Sequence, residues 1–113
     1  MGQWRLLFRP GIWERDVLTK VPAPGPDSWP ISDAQVRKAV AFARAGGFWD
    51  DLWTPAEFSS APRWTVEWAA LAESGSKGRQ YDYWLVDPDG CGYTENEVQR
   101  GEADADLRRS GLL

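Results

Sequence analysis

Tryptophan most constrains how this chain can fold, because only 113 residues must accommodate eight indoles. Each indole has a large apolar surface and a single N–H donor, which usually finds a partner when the ring is buried. A domain of this length encloses little volume, so we expect only some of the indoles to lie inside it. The tryptophans stand at positions 4, 13, 29, 49, 53, 64, 68 and 84.

Length and composition predict one globular domain spanning residues 1–113. The hydrophobic fraction is 42%, the charged fraction is 27% and the net charge is −4, values typical of a folded chain with a core. No apolar run approaches the roughly 18 residues of a membrane span, and the amino terminus lacks the apolar stretch of a signal peptide. Cys91 is the one cysteine, so no disulfide forms within the chain. We therefore expect a cytoplasmic protein without a membrane contact.

The absence of histidine excludes several kinds of chemistry. Ser-His-Asp and Cys-His catalysis, histidine-ligated zinc and zinc-protease motifs all need an imidazole. Catalysis would depend on carboxylates, lysine or tyrosine, and no motif in the chain arranges these groups for a recognisable reaction. We expect neither an enzyme nor a bound cofactor.

Charge is unevenly distributed along the chain. Residues 1–46 carry seven Lys or Arg and four Asp or Glu, a net of +3, whereas residues 47–113 carry six and thirteen, a net of −7. With a sequence pI of about 4.8, the chain lacks the basic character of most nucleic-acid-binding proteins. The acidic half is typical of a solvated surface, and it also suits a protein partner with a basic surface.

Three segments show the clearest secondary-structure patterns. Residues 3–9 alternate between apolar and mostly polar side chains, which is typical of a half-buried strand. Ser32 and Gln35 form a capping box before an apolar stripe, so we predict a helix over 33–45 that ends at two glycines. Aromatic and branched residues over 81–87 predict a central strand.

The remaining segments show less regular patterns. Four prolines make residues 21–30 a stiff connector. Helical and strand features overlap in residues 63–73, where the alanine-rich end favours a helix. A further helix is predicted from about residue 95 and is interrupted near Gly101, and residues 110–113 are expected to fray.

Together these segments predict a single compact α+β domain. A small antiparallel sheet built from residues 3–9 and 81–87 packs against the central helix at 33–45 and against short additional helices. Some tryptophans fit the alternating or helical patterns of core residues, so we expect them to be buried. These tryptophans are Trp4, Trp64, Trp68 and Trp84.

Residues 87–97 resemble the calcium loop of an EF-hand. Asp87 and Asp89 stand at the first and third loop positions, and a glycine stands at the sixth. The loop departs from that pattern because Cys91 stands where an oxygen ligand is needed and because Glu97 comes one position early. A strand, a tight turn and a capped helix explain the same residues, and we favour that interpretation. Asp87, Asp89 and Glu97 remain the candidate metal ligands, although we expect no metal.

A patch of tryptophan and aspartate is the candidate binding site. Trp49 and Trp53 flank Asp50 and Asp51 in a segment whose pattern does not require burial. Tryptophan is enriched at the centres of protein interfaces. Paired acids beside aromatic rings also resemble sugar-processing sites, but adjacent carboxylates do not share a face of a helix or strand. The candidate partner-binding residues are Trp13, Trp29, Trp49, Asp50, Asp51 and Trp53.

The sequence favours a non-catalytic module that binds a protein partner through this tryptophan-rich patch with its acidic surround, as small regulators, immunity proteins and phage-encoded inhibitors do. One alternative comes from helices near 32–45, 54–59 and 63–74 followed by a strand, which resemble a winged helix. That resemblance implies a nucleic-acid-associated module, although the third helix lacks base-reading side chains after its first residue. The other alternative is a small-ligand or carbohydrate binder.

Overall fold

A computed structural model describes residues 3–10, 27–74 and 81–113 of the chain. The elements in chain order are β1 (Arg5–Pro10), β2 (Ser28–Pro30), α1 (Asp33–Arg44), α2 (Trp49–Leu52), a 3₁₀ turn (Pro55–Glu57), α3 (Arg63–Ser74), β3 (Tyr81–Val86), β4 (Gly92–Tyr93), α4 (Glu95–Gln99) and α5 (Asp104–Arg109). Trp13 and the first part of the proline-rich connector, residues 21–26, lie outside the described residues. No helix in the described ranges is long and apolar enough to cross a membrane.

The described strands form one antiparallel sheet in the order β2-β1-β3-β4. Leu6 of β1 lies opposite Trp29 of β2 on one side and Leu85 of β3 on the other. Side chains alternate between the two faces of a strand, so these three residues share one face with Phe8 and Tyr83. That face is buried. The predicted α+β fold with a small antiparallel sheet is confirmed.

The hydrophobic core lies between this face of the sheet and the helices. The predicted central helix supplies four buried side chains at helical spacing, which are Val36, Ala39, Val40 and Ala43. α1 also packs against α4, whose Val98 is fully buried. Burial of one large apolar side chain contributes about 1.5–3 kcal/mol, so this shared core holds the short helices in place more than their intrinsic propensity does.

Both ends of α1 are fixed by the hydrogen bonds that its sequence predicts. The backbone N of Gln35 donates to the Ser32 hydroxyl at 3.2 Å, and the backbone N of Ser32 donates to the Gln35 side chain at 2.8 Å. At the other end Gly46 has a φ of +90°, and the backbone N of Gly47 donates to the Phe42 carbonyl at 3.0 Å. This ending is a Schellman motif, and it turns the chain from α1 towards α2.

The carboxyl-terminal residues, for which the sequence predicts fraying, contact the rest of the fold through Ser110 and Leu112. Gly111 has a φ of +75°, and the backbone N of Leu112 donates to the Leu107 carbonyl at 2.8 Å, so the chain turns back after α5. Leu107 and Leu112 are both buried, as is common at such a helix end. The indole Nε1 of Trp4 donates to the Ser110 hydroxyl at 3.0 Å, which ties this segment to the residue preceding β1.

Replacing Gly111 with alanine is expected to lower the free energy of unfolding by about 1 kcal/mol, because side chains with a Cβ are strained at a positive φ. A Cβ at this position would meet no heavy atom within 4 Å, so the loss comes from the backbone alone. Gly92→Ala is the matched control, since φ there is outside the left-handed region and the new Cβ would make ordinary contact with Trp84 at 3.7 Å. Equal losses in urea unfolding for the two variants would contradict this account.

Residues 63–73, whose sequence fits both a helix and a strand, belong to α3. Trp64 and Ala69 are buried, and α3 packs on β1. The strand that follows is not the wing of a winged helix. β3 is a central strand, with β1 on one side and β4 on the other. The helices suggested by the sequence therefore do not belong to a winged helix.

β2 forms one edge of the sheet, and its outer side has few backbone groups available to hydrogen-bond with a further strand. Pro30 has no N–H, and its carbonyl accepts a hydrogen bond from the Ser60 hydroxyl at 2.9 Å. The carbonyl of Ser28 accepts a hydrogen bond from the guanidinium of Arg5 at 2.8 Å. An added strand would need these same groups, so we do not expect a partner to extend the sheet at β2.

Candidate functional site

The described tryptophans that the sequence suggests for a surface patch lie in the core. Trp29, Trp49 and Trp53 are 1%, 0% and 5% exposed. The indole Nε1 of Trp49 donates to the Ala39 carbonyl at 2.9 Å. Trp29 and Trp53 both pack against the ring of Phe58, with ring centroids 5.6 and 5.3 Å away. These three indoles stabilise the fold and present no contact surface to a partner.

The geometry of α2 explains why the tryptophans and aspartates of the candidate patch separate. Trp49 and Trp53 are four residues apart, so one helical turn places both on the same side, which faces the core. Asp51 is exposed and Asp50 is half-buried. The aromatic and acidic side chains therefore do not form one patch.

Trp84 lies on the outer face of the sheet, which corrects its expected place in the core. Its neighbours in β3, Tyr83 and Leu85, are 1% and 0% exposed, so alternation along the strand turns Trp84 outward. The side chain is half-buried there. The other tryptophans assigned to the core are buried or half-buried, namely Trp4, Trp64 and Trp68.

The loop that resembles a calcium site uses its carboxylates to hold a turn and a helix cap. The Asp87 carboxylate accepts hydrogen bonds from the backbone N of Asp89 at 2.9 Å and of Cys91 at 2.8 Å. The Glu97 carboxylate accepts a hydrogen bond from the backbone N of Thr94 at 3.0 Å, as part of a capping box. Within residues 3–10, 27–74 and 81–113, no group of three or more Asp, Glu or Cys side chains is placed to hold a metal ion.

An open groove of about 360 Å³ brings together acidic and aromatic side chains from separate elements. We call it the acidic groove. Asp50 comes from α2, Asp82 from β3 and Glu95 from the start of α4. Asp50 is the one described candidate from the sequence that lines it. The full set of lining residues is Phe48, Asp50, Asp82, Tyr83, Trp84, Thr94, Glu95 and Asn96.

Glu95 is one of two half-buried carboxylates that line this groove. Its Oε1 accepts a hydrogen bond from the backbone N of Trp49 at 3.1 Å, which links the start of α4 to the start of α2. Burial raises the pKa of Glu95 above its usual value, backbone hydrogen bonds partly oppose this rise, and the negative charges of Asp50 and Asp82 add to it. Glu95 therefore lies close enough to both aspartates to be repelled by them, and a bound cation would relieve that repulsion.

Aromatic rings complete the acidic groove. Phe48, between α1 and α2, is 53% exposed, so its ring is accessible to a ligand in the groove. Gly47 allows the chain to pass close to the helix before it, because a Cβ there would lie 2.3 Å from the ring of Phe42. Trp84 contributes the second accessible aromatic side chain.

A second groove, of about 380 Å³, lies on the outer face of the sheet and shares Trp84 with the first. We call it the apolar groove. Gly92 leaves room beside the indole, since even a Cβ there would be 3.7 Å from the Cβ of Trp84. The charge of Arg9 at this groove is compensated by Asp27, 3.1 Å away. The lining residues are Leu7, Arg9, Ser28, Trp84, Val86, Gly90 and Gly92.

Four important residues of these grooves are absent from the sequence-based candidates, namely Phe48, Asp82, Trp84 and Glu95. A signal for two of them is present in the sequence. Side chains along Tyr81–Val86 alternate between the two faces of the strand. Asp82 and Trp84 therefore lie on the face opposite Tyr83 and Leu85. No local pattern joins Glu95 to Asp50, because tertiary packing brings α4 beside α2.

Comparison with known proteins finds no matching family model, no matching curated protein and no matching solved structure.

Replacing Glu95 with glutamine is expected to raise stability at neutral pH relative to the natural chain and to change it little near pH 4. Folding raises the pKa of Glu95, so its stabilising contribution is present in the protonated form and is lost as pH rises through the folded-state value. Glutamine stays uncharged and still offers an oxygen to the backbone N of Trp49. Urea unfolding at several pH values measures the difference, with Glu102→Gln as the surface control. If the gain in stability of Glu95→Gln over the natural chain shrinks as pH rises, the expectation is contradicted.

Proposed function

We propose that this chain is a non-catalytic binding module that holds a basic segment of a protein partner in the acidic groove. The observation that supports it best is the meeting of Asp50, Asp82 and Glu95 with Phe48 and Trp84 in one open groove. A lysine or arginine side chain combines an apolar stem, which suits the aromatic rings, with a charged end, which suits the carboxylates. The proposed setting is the cytoplasm, where the module would regulate or inhibit its partner.

The chemistry of the groove favours an organic cation. Among the described residues, the carboxylates are not grouped closely enough to hold a metal ion. An ammonium or guanidinium group is larger, donates several hydrogen bonds and can approach carboxylates that stand apart. It would also relieve the repulsion that Asp50 and Asp82 exert on Glu95.

The alternative ligands suit this groove less well. The phosphates of a nucleic acid would be repelled by all three carboxylates, and nucleic-acid binding depends mainly on basic side chains. A neutral sugar could stack on an aromatic ring, but it would bring no positive charge to the three carboxylates that line the groove.

Selection of peptides from a random phage-displayed library on the immobilised chain tests this proposal. We expect the enriched peptides to contain lysine or arginine, and we expect them to bind less tightly as salt is added, because exposed charges are screened. Selection on a Trp84→Ala variant, whose fold is checked by circular dichroism, shows whether the indole of Trp84 contributes to peptide binding. A pool without basic residues, or no enrichment, would contradict the proposal.

A further inference from the structure

We infer, on the basis of the proposed function, that the same partner segment carries a large apolar side chain beside its basic one. The apolar groove receives the apolar side chain while the acidic groove receives the basic side chain. The occupant is therefore one extended segment of a basic protein that crosses Trp84 and fills both grooves.

The shared position of Trp84 makes such a ligand possible. Trp84 lines both grooves, so the two grooves meet at this side chain. In an extended chain, side chains two positions apart project to the same side at a separation of about 7 Å, which is comparable to the width of an indole. A short segment can therefore place one side chain on each side of the ring.

Charge decides which side chain enters which groove. The acidic groove is lined by Asp50, Asp82 and Glu95 and would attract a lysine or arginine. The apolar groove offers the half-buried side chains of Leu7 and Val86, together with the open space above Gly92. Its charged lining residue is Arg9, and the residues that line it include no carboxylate that would attract a second cation.

The rim of the apolar groove also limits what can enter. Arg9 is held by Asp27 at 3.1 Å, and the guanidinium of Arg5 donates to the Ser28 carbonyl at 2.8 Å. These interactions hold the guanidinium groups of both arginines against β2 and the residue before it. An aliphatic or aromatic side chain can then bury its surface against Trp84 without displacing a charge.

The selected peptides test this inference directly. We expect the basic residue to be accompanied by a leucine, isoleucine, phenylalanine or tryptophan at a fixed separation. Gly92→Leu, which fills the apolar groove, is expected to weaken binding of a synthetic peptide from the pool about tenfold, while the requirement for the basic residue persists. Ala105→Leu adds the same side chain at an exposed position on α5 and serves as the control. Leu7→Ser gives a second test if Gly92→Leu fails to fold.

The possible outcomes separate this inference from the proposed function. Peptides that need a basic residue but no apolar neighbour would overturn the inference and leave the proposed function standing. A pool without basic residues would overturn both. A second copy of this chain is the competing occupant, so a dimer detected by sedimentation that Gly92→Leu dissociates would also overturn the inference.

Discussion

Replacing Trp49 with alanine will lower the free energy of unfolding by about 3–5 kcal/mol, the range typical of deleting a large aromatic side chain from a core. Trp49 is fully buried, and its Nε1 donates to the Ala39 carbonyl at 2.9 Å. Its removal therefore leaves both a cavity and an unpaired carbonyl. Small domains are stable by only about 5–15 kcal/mol, so this variant will be close to unfolding at ordinary temperature. Urea titration followed by circular dichroism measures the loss.

Trp84→Ala is the matched control, because it removes the same side chain from the outer face of the sheet. Trp84 is half-buried, and the described helices pack on the other face, so we expect a loss of about 1 kcal/mol. Trp49→Phe restores part of the side-chain volume without the hydrogen bond. Its loss in the free energy of unfolding should therefore lie between those of Trp49→Ala and Trp84→Ala. Similar losses for Trp49→Ala and Trp84→Ala would show that the indoles are not divided between core and surface in this way.

Reversing the charge at Asp82 is expected to weaken binding of the selected basic peptides about tenfold or more while leaving the fold intact. Asp82 is exposed and lines the acidic groove, so lysine there removes an attractive charge and adds a repulsive one. Arg9 lies opposite Asp82 in the sheet, but its guanidinium pairs with Asp27 at 3.1 Å, which limits the added repulsion. Fluorescence anisotropy with a labelled peptide measures the affinity, and thermal unfolding checks the fold.

Asp89→Lys supplies the control for this prediction. It makes the same change in net charge at an exposed loop position that does not line the acidic groove. If the two variants lose affinity equally, binding depends on overall charge, and the groove has no particular role. If Asp82→Lys binds as tightly as the natural chain, the basic ligand lies elsewhere.

Local sequence patterns predict the elements that local forces determine. The capping boxes at Ser32 and Thr94 fix where α1 and α4 begin, because side-chain hydrogen bonds satisfy backbone N–H groups at those positions. Alternation predicts β1, and the aromatic and branched run predicts β3. Residues 63–73 are harder to assign, because their tryptophans fit either period until packing against β1 selects the helix.

The site is less predictable because it depends on tertiary packing. Asp50 is the one described candidate that lines the acidic groove. The other two carboxylates, Asp82 and Glu95, come from β3 and α4, and the sequence between them contains no spacing rule that joins them. The expected exposure of the tryptophans is wrong for a related reason. Their abundance indicates a surface patch, but this small core encloses Trp29, Trp49 and Trp53 almost completely.

The hydrogen bond from Trp4 to Ser110 has a consequence for how the chain is made. It joins residues 106 positions apart, and Leu112 of the same terminal segment is buried in the core that covers β1. During synthesis on the ribosome, Leu6 and Phe8 emerge long before the side chains that cover them. We therefore expect the core to close only after residue 112 has left the ribosomal tunnel. Until then the nascent chain exposes an apolar surface of the kind that chaperones protect.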